Sequence, residues 1–149
     1  MIQRKSTGYI TKNFKYSELN HSEYATTNGI RNIATGMEAQ NQIWLAIVLQ
    51  IIRDEFGVQM TVTSGYRSLL VNQKVGGSET SAHVSGSAAD VVFSDIASSV
   101  TSQRNRAIQI GNFLDEVGVV YDQLIYYKSW IHIGMNFSKV GRRQIFAGG

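Results

Sequence analysis

His83, Asp90 and His132 are the residues of this chain whose types and spacing best suit metal chemistry. The sequence holds three histidines and no cysteine, which excludes disulfides and thiolate metal sites. His83 lies in the small-residue run Ser81-Ala82-His83-Val84-Ser85-Gly86-Ser87-Ala88-Ala89-Asp90, seven residues ahead of the aspartate. His132 lies in Trp130-Ile131-His132-Ile133, flanked by apolar side chains. Imidazole and carboxylate are both suited to zinc, and three protein ligands leave a fourth tetrahedral position open, the arrangement of a catalytic site. Zinc there would polarise a substrate carbonyl and acidify water to a pKa of about 7.

Plainer readings compete. A strand histidine serves well as a hydrogen-bonded core residue, and Asp90 as a buried acceptor. Two histidines and a carboxylate also make the facial triad of non-haem iron, although the spacing here is not compact and no 2-oxoacid-binding signature accompanies it. Spacing alone does not separate these readings. His21, in Leu19-Asn20-His21-Ser22, has no comparable partners and reads as a surface residue.

The elements that must position these groups follow from periodicity. Thr35-Gly36-Met37-Glu38 matches a capping box, and Ile43, Trp44, Ile47, Val48, Ile51, Ile52 and Phe56 recur at helical spacing behind it. With Gly57 as a stop, they predict a helix over residues 36–56 with those side chains on its apolar face. Val58 to Thr63 alternates and is β-branched, which predicts a strand. A polar, glycine-containing segment from Ser64 to Ser87 follows, with a short helix near Ser68 to Lys74. Ala88 to Phe93 predicts a second strand. Val100, Ala107, Ile108, Ile110, Phe113 and Leu114 predict a helix over about residues 98–116. Tyr121 to Tyr127 and Trp130 to Met135, separated by Lys128-Ser129, predict a hairpin, and Gln144-Ile145-Phe146 an edge strand. The order specifies an α+β domain spanning residues 1–149, with a small, mainly antiparallel sheet flanked by helices.

Bulk properties agree. The 149 residues, 43% hydrophobic and 17% charged, suit one globular domain with a real core. The run from Trp44 to Ile52 is too short to cross a bilayer, so no membrane partner is expected. Net charge is +3, but Arg142-Arg143 is the one notable basic pair and no nucleic-acid motif accompanies it, so no nucleic-acid partner is expected either. Met1 to Gly8 leads into no apolar signal core. The expectation is synthesis in the cytoplasm, with any action at a cell wall requiring membrane lysis or a virion as carrier.

Six blocks then appear in order: Ser64-Gly65-Tyr66-Arg67-Ser68, Val71-Asn72, Val75-Gly76-Gly77-Ser78, Ser81-x-His83-x-x-Gly86-x-Ala88-x-Asp90, Tyr121-Asp122-Gln123-Leu124-Ile125 and Trp130-x-His132. Together they resemble the D-alanyl-D-alanine carboxypeptidase-like zinc peptidases, a group that includes phage endopeptidases, vancomycin-resistance D,D-dipeptidases and the related hedgehog-type fold. Asn13-Phe14-Lys15-Tyr16-Ser17-Glu18-Leu19 looks like the opening of phage members, so the resemblance runs nearly end to end. It implies zinc held by His83, Asp90 and His132. It also implies a peptidoglycan stem peptide as substrate, cut next to a D-amino acid, and Arg67 stabilising the substrate carbonyl or carboxylate, a task suited to a fixed cationic fork. The plainer role for Arg67 is a structural salt bridge. Ser81, Gln123 and Trp130 are expected to contact substrate.

One departure stands out. Peptide-hydrolysing members generally carry an acidic residue shortly before the last histidine as general base for the attacking water. Here the corresponding places hold Ser129 and Tyr126-Tyr127-Lys128, and no carboxylate occurs from Tyr126 to Ile131. Asp122 belongs to the strand block. Tyr127 could orient water or donate a proton, but a phenol of pKa about 10 is a poor base at neutral pH. A displaced acid such as Asp95 or Glu79 could substitute. Two functions therefore stand side by side: a zinc-dependent peptidoglycan peptidase of phage or prophage origin, and a peptidase-fold domain that binds wall or serves in a virion beside other virion proteins.

Overall fold

Apolar residues crowd all sides of the segment after Thr35, and the longest element forms there. In the computed structural model, which describes residues 8–149, helix α3 spans Gly36–Phe56 and ends on Gly57, whose left-handed backbone (φ 64°) lets its N–H reach Arg53 O. Ahead of it lie two short helices that periodicity did not predict, α1 (Tyr16–Leu19) and α2 (Glu23–Thr27). They are too short to show a helical repeat. What marks them is local: Ser22 Oγ accepts from Ala25 N–H, and the Glu18 carboxylate accepts from Lys15 N–H. After α3 come β1 (Met60–Ser64), α4 (Leu69–Lys74), β2 (Ala88–Phe93), α5 (Val100–Glu116), β3 (Gln123–Tyr126), β4 (Ile131–Gly134) and β5 (Gln144–Ala147). The leader reading rests on residues 1–7, outside the described residues.

The five strands form one sheet in the order β1-β2-β4-β3-β5, antiparallel throughout except for the parallel pair β3–β5. The α+β prediction with a mainly antiparallel sheet holds. The β3–β4 hairpin also forms, closed by Tyr127 N–H donating to Trp130 O. Alternation gives the sheet two unlike faces. Ala89, Val91, Phe93, Ile131, Ile133 and Leu124 point into a core shared with Leu45, Leu49 and Ile52 of α3 and Ile110 and Leu114 of α5. Asp90 and His132, out of phase with these residues, lie on the other face.

Two expectations about α3 are corrected. Its buried face carries Ala39, Gln42, Leu45, Ala46, Val48, Leu49 and Ile52, while Trp44 and Ile47 are exposed and Ile43, Ile51 and Phe56 only half-buried. The helix is apolar on nearly every side, so its pattern does not single out the face that the sheet selects. The capping box at Thr35 does not form. Gly36, the first helical residue, has φ 57°, and this left-handed step takes the Thr35 side chain away from the amide it would cap.

A buried polar network ties the N-terminal segment to α3 and to the loop after β1. Asn32 donates to Asn20 O and Tyr66 O and accepts from Ser68 N–H. Gln42 donates to Leu19 O and to Asn20 Oδ1. Gly65 sits under this clamp: a Cβ there would lie 2.2 Å from Leu19 O, so only glycine permits the approach.

The two faces of α3 are distinguishable by unfolding. Leu49→Ala, at a fully buried position, is expected to cost about 2–5 kcal/mol, and Ile47→Ala within about 0.5 kcal/mol. Urea denaturation of both variants measures the difference, and equal losses would contradict the packing.

Candidate metal centre

Strand register places two of the three candidate ligands. Asp90 on β2 is the cross-strand partner of His132 on β4, and both project from the face opposite the core. His83 arrives from the loop after α4. Its Nδ1 lies 2.7 Å from Gly65 O. A carbonyl only accepts, so Nδ1 carries the proton and Nε2 presents its lone pair. That lone pair is buried without a hydrogen-bond partner, 3.3 Å from Asp90 Oδ1. His132 Nδ1 lies 3.0 Å from the same oxygen. The two imidazoles meet edge to face with centroids 5.0 Å apart, and one donor atom from each of the three residues falls within 4.8 Å of the others.

Electrostatics favours the ligand protonation states. Burial pushes the His83 imidazole below its ordinary pKa, with Asp90 opposing, so His83 is neutral, as a ligand must be. Burial pushes the Asp90 carboxyl up, but the His132 imidazole, hydrogen-bonded to it through Nδ1, pulls the other way, and the group stays below the usual carboxylate range. A buried nitrogen with no partner is costly, and a cation shared with Asp90 and His132 removes that cost. The donor set fits zinc. Gly134 completes the fit, because a Cβ there would stand 2.9 Å from His132 Nε2.

Around this cluster opens a cleft of about 530 Å3. The structure brings Arg67, Ser81, Gln123, Tyr127 and Trp130 to its walls together with His83, Asp90 and His132. Arg67 is held by its backbone N–H on His83 O and by Nη1 on Asn72 Oδ1. Asn72 in turn donates to Ser78 O, and Gly77 leaves room for the pair, since a Cβ there would strike Asn72 Oδ1. Among the described residues Arg67 makes no salt bridge within 4.0 Å, although Asp90 lies near enough to act on its charge. Its Nε is buried without a partner, and burial lowers its pKa, with Asp90 and Tyr127 opposing. Tyr127 stacks on Trp130 at 4.3 Å. Burial, reinforced by Asp90 and opposed by Arg67, raises the Tyr127 pKa, so the phenol stays protonated at neutral pH. Ser81 Oγ accepts from His83 N–H and so shapes the ligand loop, and Gln123 donates to Gln144 of β5.

The displaced acids do not reach the cleft. Asp95 is gripped by Arg106 at 2.6 Å, and Glu79 is exposed and off the cleft wall. Asp90 and Asp122 are the carboxylates that line it among the described residues. Asp122, expected within a strand, sits one residue ahead of β3 and is buried. It accepts from Arg142 Nε at 2.9 Å, from Nη2 at 2.9 Å and from the Arg142 backbone N–H at 3.0 Å. The pairing with Arg142 was not foreseen. Arg142-Arg143 was visible as a basic pair, but nothing local in the sequence links it to a residue twenty positions earlier.

Two outcomes follow from this geometry. Zinc titration monitored by calorimetry is expected to show one tight equivalent, lost in His83→Ala, with Gly134→Ala weakening it by about tenfold or more; unchanged affinity in both would contradict the cluster. Separately, the Arg142 hydrogen bonds hold the Asp122 carboxyl below its ordinary value of 3.8. The folded state therefore binds fewer protons there than the unfolded chain, and the stability from this pair, complete above 3.8, is lost as pH falls below it. Asp122→Asn is expected to flatten the acid limb of stability measured from pH 5 to 2.

A family model described as peptidase M15 matches residues 12–134, a span that includes His83, Asp90, His132 and Arg67. No curated protein matches the chain.

Proposed function

The chain belongs to the peptidase M15 family of metallopeptidases, and we propose that it is zinc-dependent, cuts peptidoglycan stem peptide next to a D-amino acid, and is encoded by a phage or prophage. One observation supports the zinc reading above the rest. His83 Nε2, buried without a hydrogen bond and 3.3 Å from Asp90 Oδ1, converges with Asp90 and His132 in an open cleft.

In this reading His83, Asp90 and His132 would hold the ion, which when bound would supply Lewis acidity for the scissile carbonyl and for water. The chain's own residues do the remainder. The Arg67 guanidinium, fixed by Asn72 and by the backbone of His83, stabilises negative charge on the substrate carbonyl or carboxylate. Tyr127, protonated, donates to the departing amine or orients water. Trp130, stacked on Tyr127, walls the cleft against the peptide, and Ser81 and Gln123 flank it. The protein is made in the cytoplasm and meets the wall after lysis or as part of a virion.

A second reading rests on the carboxylates. Among the described residues that line the cleft, Asp90 belongs to the ligand set and Asp122 is taken up by Arg142, so no free acid serves as base. A slow enzyme, or a domain that binds wall within a virion, is consistent with that.

Release of soluble fragments from purified cell wall separates the two. The zinc-loaded protein is expected to release fragments, with His132→Ala and EDTA-treated samples at background. Arg67→Ala is expected to lower turnover about 10²–10³-fold. Tyr127→Glu, which puts a carboxylate on the cleft wall, is expected to raise it by about 10²-fold or more. No release above the His132→Ala background from a protein with zinc bound would remove the peptidase reading and leave the binding one.

A further inference from the structure

A second groove, of about 470 Å3, adjoins the metal cleft and shares four lining residues with it. Thr80, Ala82, Asp122 and Arg142 are the shared residues and form the saddle between the two. Beyond that saddle the second groove is polar, with Asn41 and the exposed Lys139 among its lining. Asp122 is the one carboxylate in its lining among the described residues, and Arg142 already occupies it. Lys139 is therefore an uncompensated cation facing the groove.

Arg142 is held at the saddle by its own backbone as well as by its side chain. Gly141 passes so close to Tyr121 that a Cβ would stand 2.3 Å from Tyr121 O. Arg143, the one non-glycine residue with positive φ among the described residues (54°), sends its N–H to Tyr121 O. Non-glycine residues enter that region only where their surroundings demand it. Between these two anchors the Arg142 backbone N–H donates to Asp122. The guanidinium uses Nε and Nη2 on Asp122 yet stays 57% exposed. An oriented arginine with a free edge suits planar recognition of a second carboxylate. The residue lies beyond the segment matched by the family model, which ends at residue 134.

We infer that the substrate runs past the metal cleft into this second groove, and that Arg142, supported by Lys139, reads a carboxylate on the peptide there. The inference rests on the peptidase reading for the word substrate and deepens it: the preferred peptide is anionic and long enough to occupy both grooves. Each groove has the size of an ordinary ligand pocket, and Arg142 lines both of them. The carboxylate belongs either to a side chain or to the peptide terminus.

The test uses zinc-loaded protein and synthetic stem peptides in three forms: side-chain carboxylate with amidated terminus, free terminus with side-chain carboxamide, and both amidated. Binding is measured by calorimetry and cleavage by initial rates. One carboxylate form is expected to bind about tenfold tighter than the doubly amidated peptide, in the range of one charge-assisted hydrogen bond, and which form does so identifies the source. Arg142→Gln is expected to bring that ratio close to 1, and Arg142→Lys to restore part of it. Lys139→Gln, exposed and outside the Asp122 fork, lowers the ratio partway without a demand on folding. Equal binding of all three forms, binding of none, or a preference that survives both Arg142→Gln and Lys139→Gln overturns the inference. Cleavage without carboxylate preference leaves the peptidase standing and removes the groove. Carboxylate-selective binding without cleavage does the reverse.

Discussion

One buried imidazole organises this molecule. His83 is almost wholly removed from solvent, with one nitrogen committed to Gly65 O and the other facing Asp90 and His132. Burying a polar atom without a hydrogen bond is unfavourable, and a cation held with Asp90 and His132 would remove that cost. The rest of the site is arranged about that demand. Gly65 must lack a side chain because Leu19 O lies where a Cβ would stand. The Asn20, Asn32 and Gln42 network holds the N-terminal segment against that glycine. A segment distant from the cleft in sequence thereby sets the tautomer of His83, as surroundings beyond the ligands do in metal sites.

The two faces of the sheet divide the work. One is apolar and packs under α3 and α5, so β2 and β4 are held in a single register. Slipping either strand by one residue would turn Asp90 or His132 into the core. Hydrophobic burial on one side thus fixes ligand geometry on the other, at no cost in flexible loops for two of the three ligands. The third comes from a loop, and that loop is restrained by backbone bonds from Arg67 N–H to His83 O and from Ser87 N–H to Ala82 O.

Within the cleft, charge is distributed unevenly. Asp90 is held ionised by imidazoles and Asp122 by Arg142, while Arg67 and Lys139 face the grooves without an acid of their own. Both lining carboxylates among the described residues are thus engaged by neighbouring groups. Tyr127, on the cleft wall, is pushed further toward its protonated form by burial.

The ligand types, the α+β order and the bounds of α3 were legible in the sequence, because each rests on local chemistry: residue identity, alternation, and a glycine able to take the left-handed backbone at Gly57. The short helices α1 and α2 were not, since four or five residues carry no period. The buried face of α3 was not either. Trp44 and Ile47 are as apolar as Leu45 and Leu49, and only docking on the sheet distinguishes them. That Asp122 belongs to Arg142, and that Asp95 is spent on Arg106 away from the cleft, depended on which segments the sheet brings side by side. The amino-acid order alone determined that two histidines and an aspartate were present in a suitable context. Tertiary structure decided which nitrogen of His83 is free and which carboxylates reach the cleft, because those depend on contacts between residues far apart in the chain.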